Sequence, residues 1–298
     1  MLQRKNALRR ALQRAGSLLL LMMLLAGCVW SDPTPTQALA VSDPTIGPDT
    51  PTANILCPSV GVCHLSDGTL KWRITCSYDA MGNLKQVQHY SEEATVKYTY
   101  VYTYDARGNI LSRDSGDDLE FIRYTYSSAG NRLCMEQGIT RMDYEYDVLG
   151  NLLVENEYTS DILYRKTAYS YNKKGGVESA YTYDSNGQLI SYRLYEYEEE
   201  GLLQRERFYP YSGALPTITE SRYDERGNLT EQTFYDPTGK MEYRLRHTFD
   251  SYGNCLTTTH YTPSGTVVWW VEYTYEAHRV PEGNLPYIAQ ARKEILGF

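Results

Sequence analysis

Basic side chains are in short supply in this 298-residue chain: 29 Lys and Arg stand against 37 Asp and Glu, a formal net charge of −8. Nucleic-acid binding is disfavoured on that ground, because a phosphate backbone asks for a basic groove. Phenylalanine is scarce too, with 5 Phe against 29 Tyr. The chain contains no nucleophile elbow, phosphate-cradling glycine loop, His-Glu-x-x-His motif or dinucleotide fingerprint. The reading is therefore non-enzymatic, with no cofactor. Metal ligands gather only at Cys57, Cys63 and His64, without the second half that a zinc site needs, so no metal site is expected. Cys63 and His64 are also neighbours, and neighbours on a strand point to opposite faces, which argues against a dyad.

What is present is a repeat. From Gly175 the glycines fall at Gly187, Gly201, Gly213, Gly227, Gly239, Gly253 and Gly265, separated alternately by 12 and 14 residues, so two steps make a 26-residue unit. Fixed-period self-similarity marks a repeat architecture. Four residues before each glycine stands a ring: Tyr171, Tyr183, Tyr197, Tyr209, Tyr223, Tyr235, Phe249 and Tyr261. Two residues after each stands an apolar side chain, among them Val177, Leu189, Leu203, Leu229 and Cys255. Strand side chains alternate with a period of two, so even steps are expected to keep rings and aliphatics on one face.

The turn has its own chemistry. In Asp-x-x-Gly, as at Asp105 to Gly108 and Asp224 to Gly227, Asp suits the first position of a type I turn and Gly supplies the positive φ that closes a hairpin with a bulge. The arms between are rich in Tyr, Thr, Val and Ile, which suits strands. The expected fold is all-β: an antiparallel hairpin meander of about seventeen strands over residues 77–275, curled into a sheet or partial shell. Residues 57–76 are expected to form an amino-terminal cap and first strand. Residues 276–298 are expected to cap the other end, with Ile288, Ala291, Ile295 and Leu296 at the spacing of a short helix.

These residues resemble the YD repeats of the RHS and teneurin-type families. The Tyr-Asp-x-x-Gly-Asn motifs at Tyr78, Tyr104, Tyr146 and Tyr223 carry the resemblance, which covers about residues 77–275; Tyr126, followed by Ser127, matches less fully. The resemblance implies hairpins coiled into a spiral or hollow shell. Large family members enclose a toxin, but this chain is too short for a folded cargo, and Asp236-Pro237-Thr238-Gly239 echoes their aspartate-proline motif only inside an ordinary turn. The fold carries over, not the toxin function.

The first 28 residues carry an address. A basic stretch through Arg14 precedes Leu18-Leu19-Leu20-Leu21-Met22-Met23-Leu24, too short a run for a usual spanning helix. Leu25-Ala26-Gly27-Cys28 resembles the bacterial lipobox. That resemblance implies a signal peptide at residues 1–27, cut before a Cys28 that carries diacylglycerol, and a chain held by lipid on the outer side of a bacterial cytoplasmic or other envelope membrane. Loss of Arg4, Lys5, Arg9, Arg10 and Arg14 leaves 24 basic against 37 acidic side chains, or −13. Residues 28–56, with Pro33, Pro35, Pro44, Pro48 and Pro51, read as a disordered tether.

Two sets of residues remain as candidates. Cys57, Cys63 and Cys76 sit where a terminal cap is expected, and a disulfide among them suits an oxidising compartment; free thiols are the alternative. Tyr98, Tyr100, Tyr102 and Tyr104 form the densest aromatic stripe, and Trp269 and Trp270 fall on opposite faces of the last strand. The stripe is either wall packing or a platform for an envelope glycan or protein. The chain reads as a membrane-anchored repeat scaffold for such interactions. A glycan-acting enzyme is the alternative, and it would need carboxylates converging in a concave cleft.

Overall fold

The computed structural model describes residues 50–116, 120–211 and 213–285. They form eighteen strands: β1 (Thr52–Leu65), β2 (Leu70–Tyr78), β3 (Leu84–Tyr90), β4 (Val96–Tyr104), β5 (Ile110–Asp114), β6 (Ile122–Tyr126), β7 (Arg132–Gln137), β8 (Thr140–Tyr146), β9 (Leu152–Thr159), β10 (Ile162–Tyr171), β11 (Val177–Asp184), β12 (Leu189–Tyr197), β13 (Leu203–Tyr209), β14 (Thr217–Tyr223), β15 (Leu229–Tyr235), β16 (Met241–Phe249), β17 (Cys255–Tyr261) and β18 (Val267–Pro281). Each pairs antiparallel with the next, and β18 pairs back onto β1 from Pro281 opposite Thr52 to Trp269 opposite Leu65. The sheet is a closed up-and-down barrel, about 86 Å around at ~4.8 Å per strand.

Closure corrects the expectation of a curled or partial sheet of about seventeen strands. The missing stave was β1, which begins at Thr52, inside the stretch assigned to the tether, while β18 runs to Pro281, past the boundary at 275. A seam between the two chain ends removes the unpaired edges that a capping segment was expected to cover. Among the described residues the only helical turn is a 3-10 turn at Glu282–Asn284, where Asn284 donates to the Met81 carbonyl at 2.8 Å. The helix expected between Tyr287 and Leu296 lies outside the described residues, as do the signal peptide and Cys28.

The turns follow the expected chemistry. In the turn from Asp224 to Asn228, Asp224 N–H donates to the Asn228 carbonyl and Gly227 N–H to the Asp224 carbonyl, with Gly227 at φ 80°. The Asp224 carboxylate accepts from the amides of Arg226 and Asn228, and Asn228 Nδ2 donates to its second oxygen at 2.8 Å. Ala94 occupies the glycine position of its turn at φ 58°, and Ser160 and Asp161, both at positive φ, close a two-residue hairpin.

The single-face expectation does not hold. Tyr223 pairs with Leu229, whereas Tyr235 pairs with Ile218, and Tyr223 and Ile218 are five residues apart on β14. Tyr235 therefore lies on the face opposite Tyr223 and Leu229. The cause is a β-bulge: Arg222 pairs with Glu231, so Thr230 is an extra residue and the alternation slips by one just after the apolar position. The same shift recurs beside most turns, at Ser77/Tyr78, Thr103/Tyr104, Glu196/Tyr197 and Thr248/Phe249 among others. An even glycine spacing plus one bulge per arm sends consecutive motif rings to alternate faces.

One face holds most of the buried side chains, including Cys63, Ile74, Leu84, Tyr100, Tyr124, Tyr144, Leu245, Val271 and Tyr273. Side chains converge on the inside of a closed wall and splay apart on the outside, so this is the inner face. Its largest apolar cluster runs across β16, β17, β18, β1, β2, β3 and β4. The two ends of the barrel also differ. Turns β2–β3, β4–β5, β6–β7, β8–β9, β14–β15 and β16–β17 carry Asn83, Asn109, Asn131, Asn151, Asn228 and Asn254 after their glycines. With β10–β11 and β12–β13 they make one end, the Asn rim; the remaining turns make the opposite rim.

Candidate functional site

The motif rings of the Asn rim point inward and hold the wall. Tyr104 Oη donates to the Leu84 carbonyl at 2.7 Å, Tyr197 to Val177 at 2.9 Å, Tyr223 to Leu203 at 2.9 Å and Tyr275 to Cys255 at 2.7 Å, each across 20 residues. Tyr171 does the same to Leu152 at 2.8 Å. Each acceptor is the residue two past a glycine, beside the bulge that disturbs the ladder there. The phenol thus joins β3, β9, β11, β13 and β17 each to the strand that follows it. Tyr78 likewise reaches the Pro58 carbonyl at 2.8 Å.

The candidate stripe Tyr98, Tyr100, Tyr102 and Tyr104 faces the same interior. Tyr100 is 2 % exposed, with the Arg113 guanidinium 4.7 Å above its ring, and Tyr98 packs on His89 at 4.4 Å. Tyr102 packs against two of the inner apolar clusters. Trp269 is inward and Trp270 outward. Trp269 ends an inner row of stacked rings, Phe234 on Tyr243 at 4.3 Å, Tyr243 on His260 at 4.9 Å and His260 on Trp269 at 5.2 Å. Trp270 stacks on His64 at 5.1 Å. Outside, Tyr181, Tyr192 and Tyr209 stack at 5.4 and 4.3 Å. Near-parallel rings this close spend their faces on one another and show a ligand their edges.

Charge lies on both faces of the wall. Outside, Arg205 bridges Glu196 and Glu220, Arg207 pairs with Glu196, and Arg246 pairs with Glu231 at 2.7 Å. Inside, Arg193 meets Glu206 at 2.9 Å and Arg165 pairs with Glu157. Glu155, two residues from Glu157 on the same face, accepts from Tyr169 Oη at 3.4 Å, and burial holds its carboxyl above the usual range. Burial pushes the Tyr169 phenol up as well. These are the inner carboxylates with the most unusual surroundings, and sequence reasoning passed over them because Glu-x-Glu on a strand is an ordinary pattern.

All five cysteines of the described residues remain thiols. Cys57 and Cys63 lie on one continuous strand, roughly 20 Å apart at 3.3 Å per residue, far beyond disulfide reach. A bridge between Cys57 and Cys63 would need a folded cap where the chain is extended. Burial raises Cys63 to about 11 and Cys76 to about 12, so neither is a ready nucleophile. Among the described residues no three His, Cys, Asp or Glu side chains come together as a metal site.

The variable pair inside each Asp-x-x-Gly turn was also passed over. At the Asn rim these tips carry the most exposed large apolar side chains: Val148 at 101 %, Tyr252 at 84 % and Leu149 at 83 %. Lys173 and Lys174 occupy the next turn, and Lys174 Nζ reaches the Glu199 carbonyl at 2.5 Å. Arg226 reaches the Ser251 carbonyl at 2.6 Å and Arg107 that of Ser128 at 2.5 Å, linking neighbouring turns around this rim.

These features define a closed barrel of tyrosine-aspartate hairpins, a β-structured repeat scaffold. The Teneurin YD-shell family model matches residues 65–200, and the chain's tyrosine-aspartate repeats continue as the same hairpins through β18. No curated protein matches it. Among solved structures, a porin-like protein from Bacteroides uniformis aligns over 77 % of this chain and 99 % of its own, at 14 % identity and TM-score 0.40. A second porin-like protein, from Bacteroides vulgatus, aligns over 74 % and 98 % at 8 % identity and TM-score 0.38. The Tc holotoxin pore of Photorhabdus luminescens aligns over 70 % of this chain and 19 % of its own, at 12 % identity and TM-score 0.22. Likeness this distant leaves function to be argued from this chain's own residues.

Proposed function

We propose that the chain is a non-catalytic, lipid-anchored scaffold on the outer side of a bacterial envelope membrane, holding a rigid barrel in water for contact with an envelope glycan or protein. The outer wall carries the reading. A barrel that spans a bilayer shows lipid an apolar band, whereas this one places Arg205, Arg207, Arg244 and Arg246 on its outside at mid-strand. Each arginine at a bilayer midplane costs about 2–4 kcal/mol, so the wall belongs in water. Attachment then falls to the apolar run and Cys28. Of the candidate rings, Trp270 is the one turned outward and is the anchor for a partner in this reading.

Labelled palmitate fed to expressing cells tests the attachment: the wild-type chain takes up label and sediments with membranes, and Cys28→Ala loses both. A Cys28→Ala chain that still sediments with membranes and carries label would overturn it. A peptidoglycan pull-down with Trp270→Ala tests the contact, with reduced retention expected. A glycan-acting enzyme is the second reading, favoured by Glu155 beside Glu157. Glu155→Gln separates the two, because glycan cleavage that disappears in that variant would replace the scaffold.

A further inference from the structure

The Asn rim and the chain ends lie together. β1 runs from the Asn rim to the opposite rim and β18 runs back, so residue 50 enters and residue 285 leaves at the Asn rim. The tether to Cys28 therefore pulls on this end. The three most exposed large apolar side chains, Val148, Leu149 and Tyr252, stand at the tips of turns on the same rim. Turns β8–β9 and β16–β17 are eight strands apart in a ring of eighteen, nearly across the barrel from each other. Each has a cation in the turn beside it, Lys173 and Lys174 in one case and Arg226, which follows Glu225, in the other. The four-residue turns of the opposite rim carry Ser66-Asp67, Glu92-Glu93, Ser185-Asn186, Pro237-Thr238 and Pro263-Ser264 at their tips, polar or proline; its exposed large apolar side chains are Ile162 at 73 %, Leu215 at 64 %, and Ile139 and Tyr211 at 63 %, each below the three of the Asn rim.

We infer that the Asn rim is a lipid-contact surface on which the barrel stands upright, with Val148-Leu149 and Tyr252 entering the interface and the flanking Lys and Arg meeting headgroups. The inference rests on the anchoring reading and adds an orientation to it. Apolar tips with a cation beside them are what a membrane interface accepts, and a second weak contact adds to an acyl anchor. Two contact points on opposite sides of the ring fix the axis across the bilayer plane. The opposite rim then faces away from the membrane as the presenting end.

Photo-crosslinking tests it. The full chain, expressed with its lipid and placed on vesicles of phosphatidylethanolamine and phosphatidylglycerol, carries a benzophenone amino acid at Leu149, Tyr252, Ile139 or Asn186 in turn. Crosslinks to phospholipid at 149 and 252 but not at 139 and 186 are expected, and the 252 crosslink should fall when Val148→Asp and Leu149→Asp are combined. Equal yields at all four positions, none at 149 and 252 on a chain that remains vesicle-bound, or crosslinks from 149 to protein alone would overturn it. The mass of the amino-terminal peptide reports the anchor separately. If that peptide carries no lipid, the anchoring reading fails, and the rim is judged by flotation of the unlipidated chain with the same vesicles. Flotation lost in the double variant supports the rim; absence of flotation overturns it.

Discussion

Removing one phenol oxygen tests whether the tyrosines of the Asn rim are wall ties. Tyr223→Phe keeps the ring and deletes the bond to the Leu203 carbonyl, which lies half-exposed at a strand end where water can replace the donor. A neutral hydrogen bond contributes about 1 kcal/mol net, so that is the expected loss. Tyr275→Phe deletes the same bond to Cys255, which is 1 % exposed, so its carbonyl is left without water and the loss should rise to about 2–3 kcal/mol. The reverse change is available at Phe249, which stands 20 residues after Leu229 at the same station of its repeat but has no hydroxyl. Phe249→Tyr should gain about 1 kcal/mol by supplying the tie. Urea unfolding followed by tyrosine fluorescence and far-UV circular dichroism gives the three midpoints. If Tyr223→Phe and Tyr275→Phe cost the same, or if Phe249→Tyr lowers the midpoint, the ties do not stabilise the wall and the burial argument is wrong.

Ala94 sits at φ 58° where other turns place glycine, so Ala94→Gly should raise the unfolding midpoint and Gly227→Ala, at φ 80°, should lower it, each by about 1 kcal/mol; opposite signs would remove the strain argument. Acid should weaken the barrel between pH 6.5 and 4, because burial lowers His89 and His247 to about 4 from 6.5. The folded chain holds these rings neutral while the unfolded chain binds their protons, so stability is full above 6.5 and is lost as pH falls, by up to roughly 3 kcal/mol per ring. His247→Asn should flatten the dependence of the urea midpoint on pH in that window, and an unchanged slope would count against it. Deleting residues 50–65 removes β1 and bares the edges of β2 and β18. The shortened chain should elute as aggregates from size exclusion; a monodisperse product would mean that the seam does not close the barrel.

How much of this was legible in the residues depends on which contacts are local. The turn chemistry was, because Asp224, Gly227 and Asn228 satisfy one another within five positions. Closure was not, since it rests on β1 meeting β18 more than two hundred residues away, and Thr52 to Leu56 look like the end of a proline-rich tether until a partner strand is present. The face of each ring was misread for a subtler reason: the bulge residue, Thr230 in one hairpin and Lys85 in another, is an ordinary strand residue whose extra count shows only in the pairing. That slip sends the motif rings of the two rims to opposite faces. Rings at the Asn rim turn inward and tie the wall, as Tyr223 does, while those at the opposite rim turn outward, where Tyr235 meets Glu220 at 3.3 Å and Tyr209 stacks on Tyr192. The repeating unit is therefore the hairpin pair rather than the single motif, and only its inward half places a hydroxyl where it reaches the residue two past the glycine of the preceding turn on the same rim. The candidate binding rings could not be sorted until this was known, because Tyr98 to Tyr104 and Trp270 are alike in composition and differ only in which side of the wall the slip assigns them.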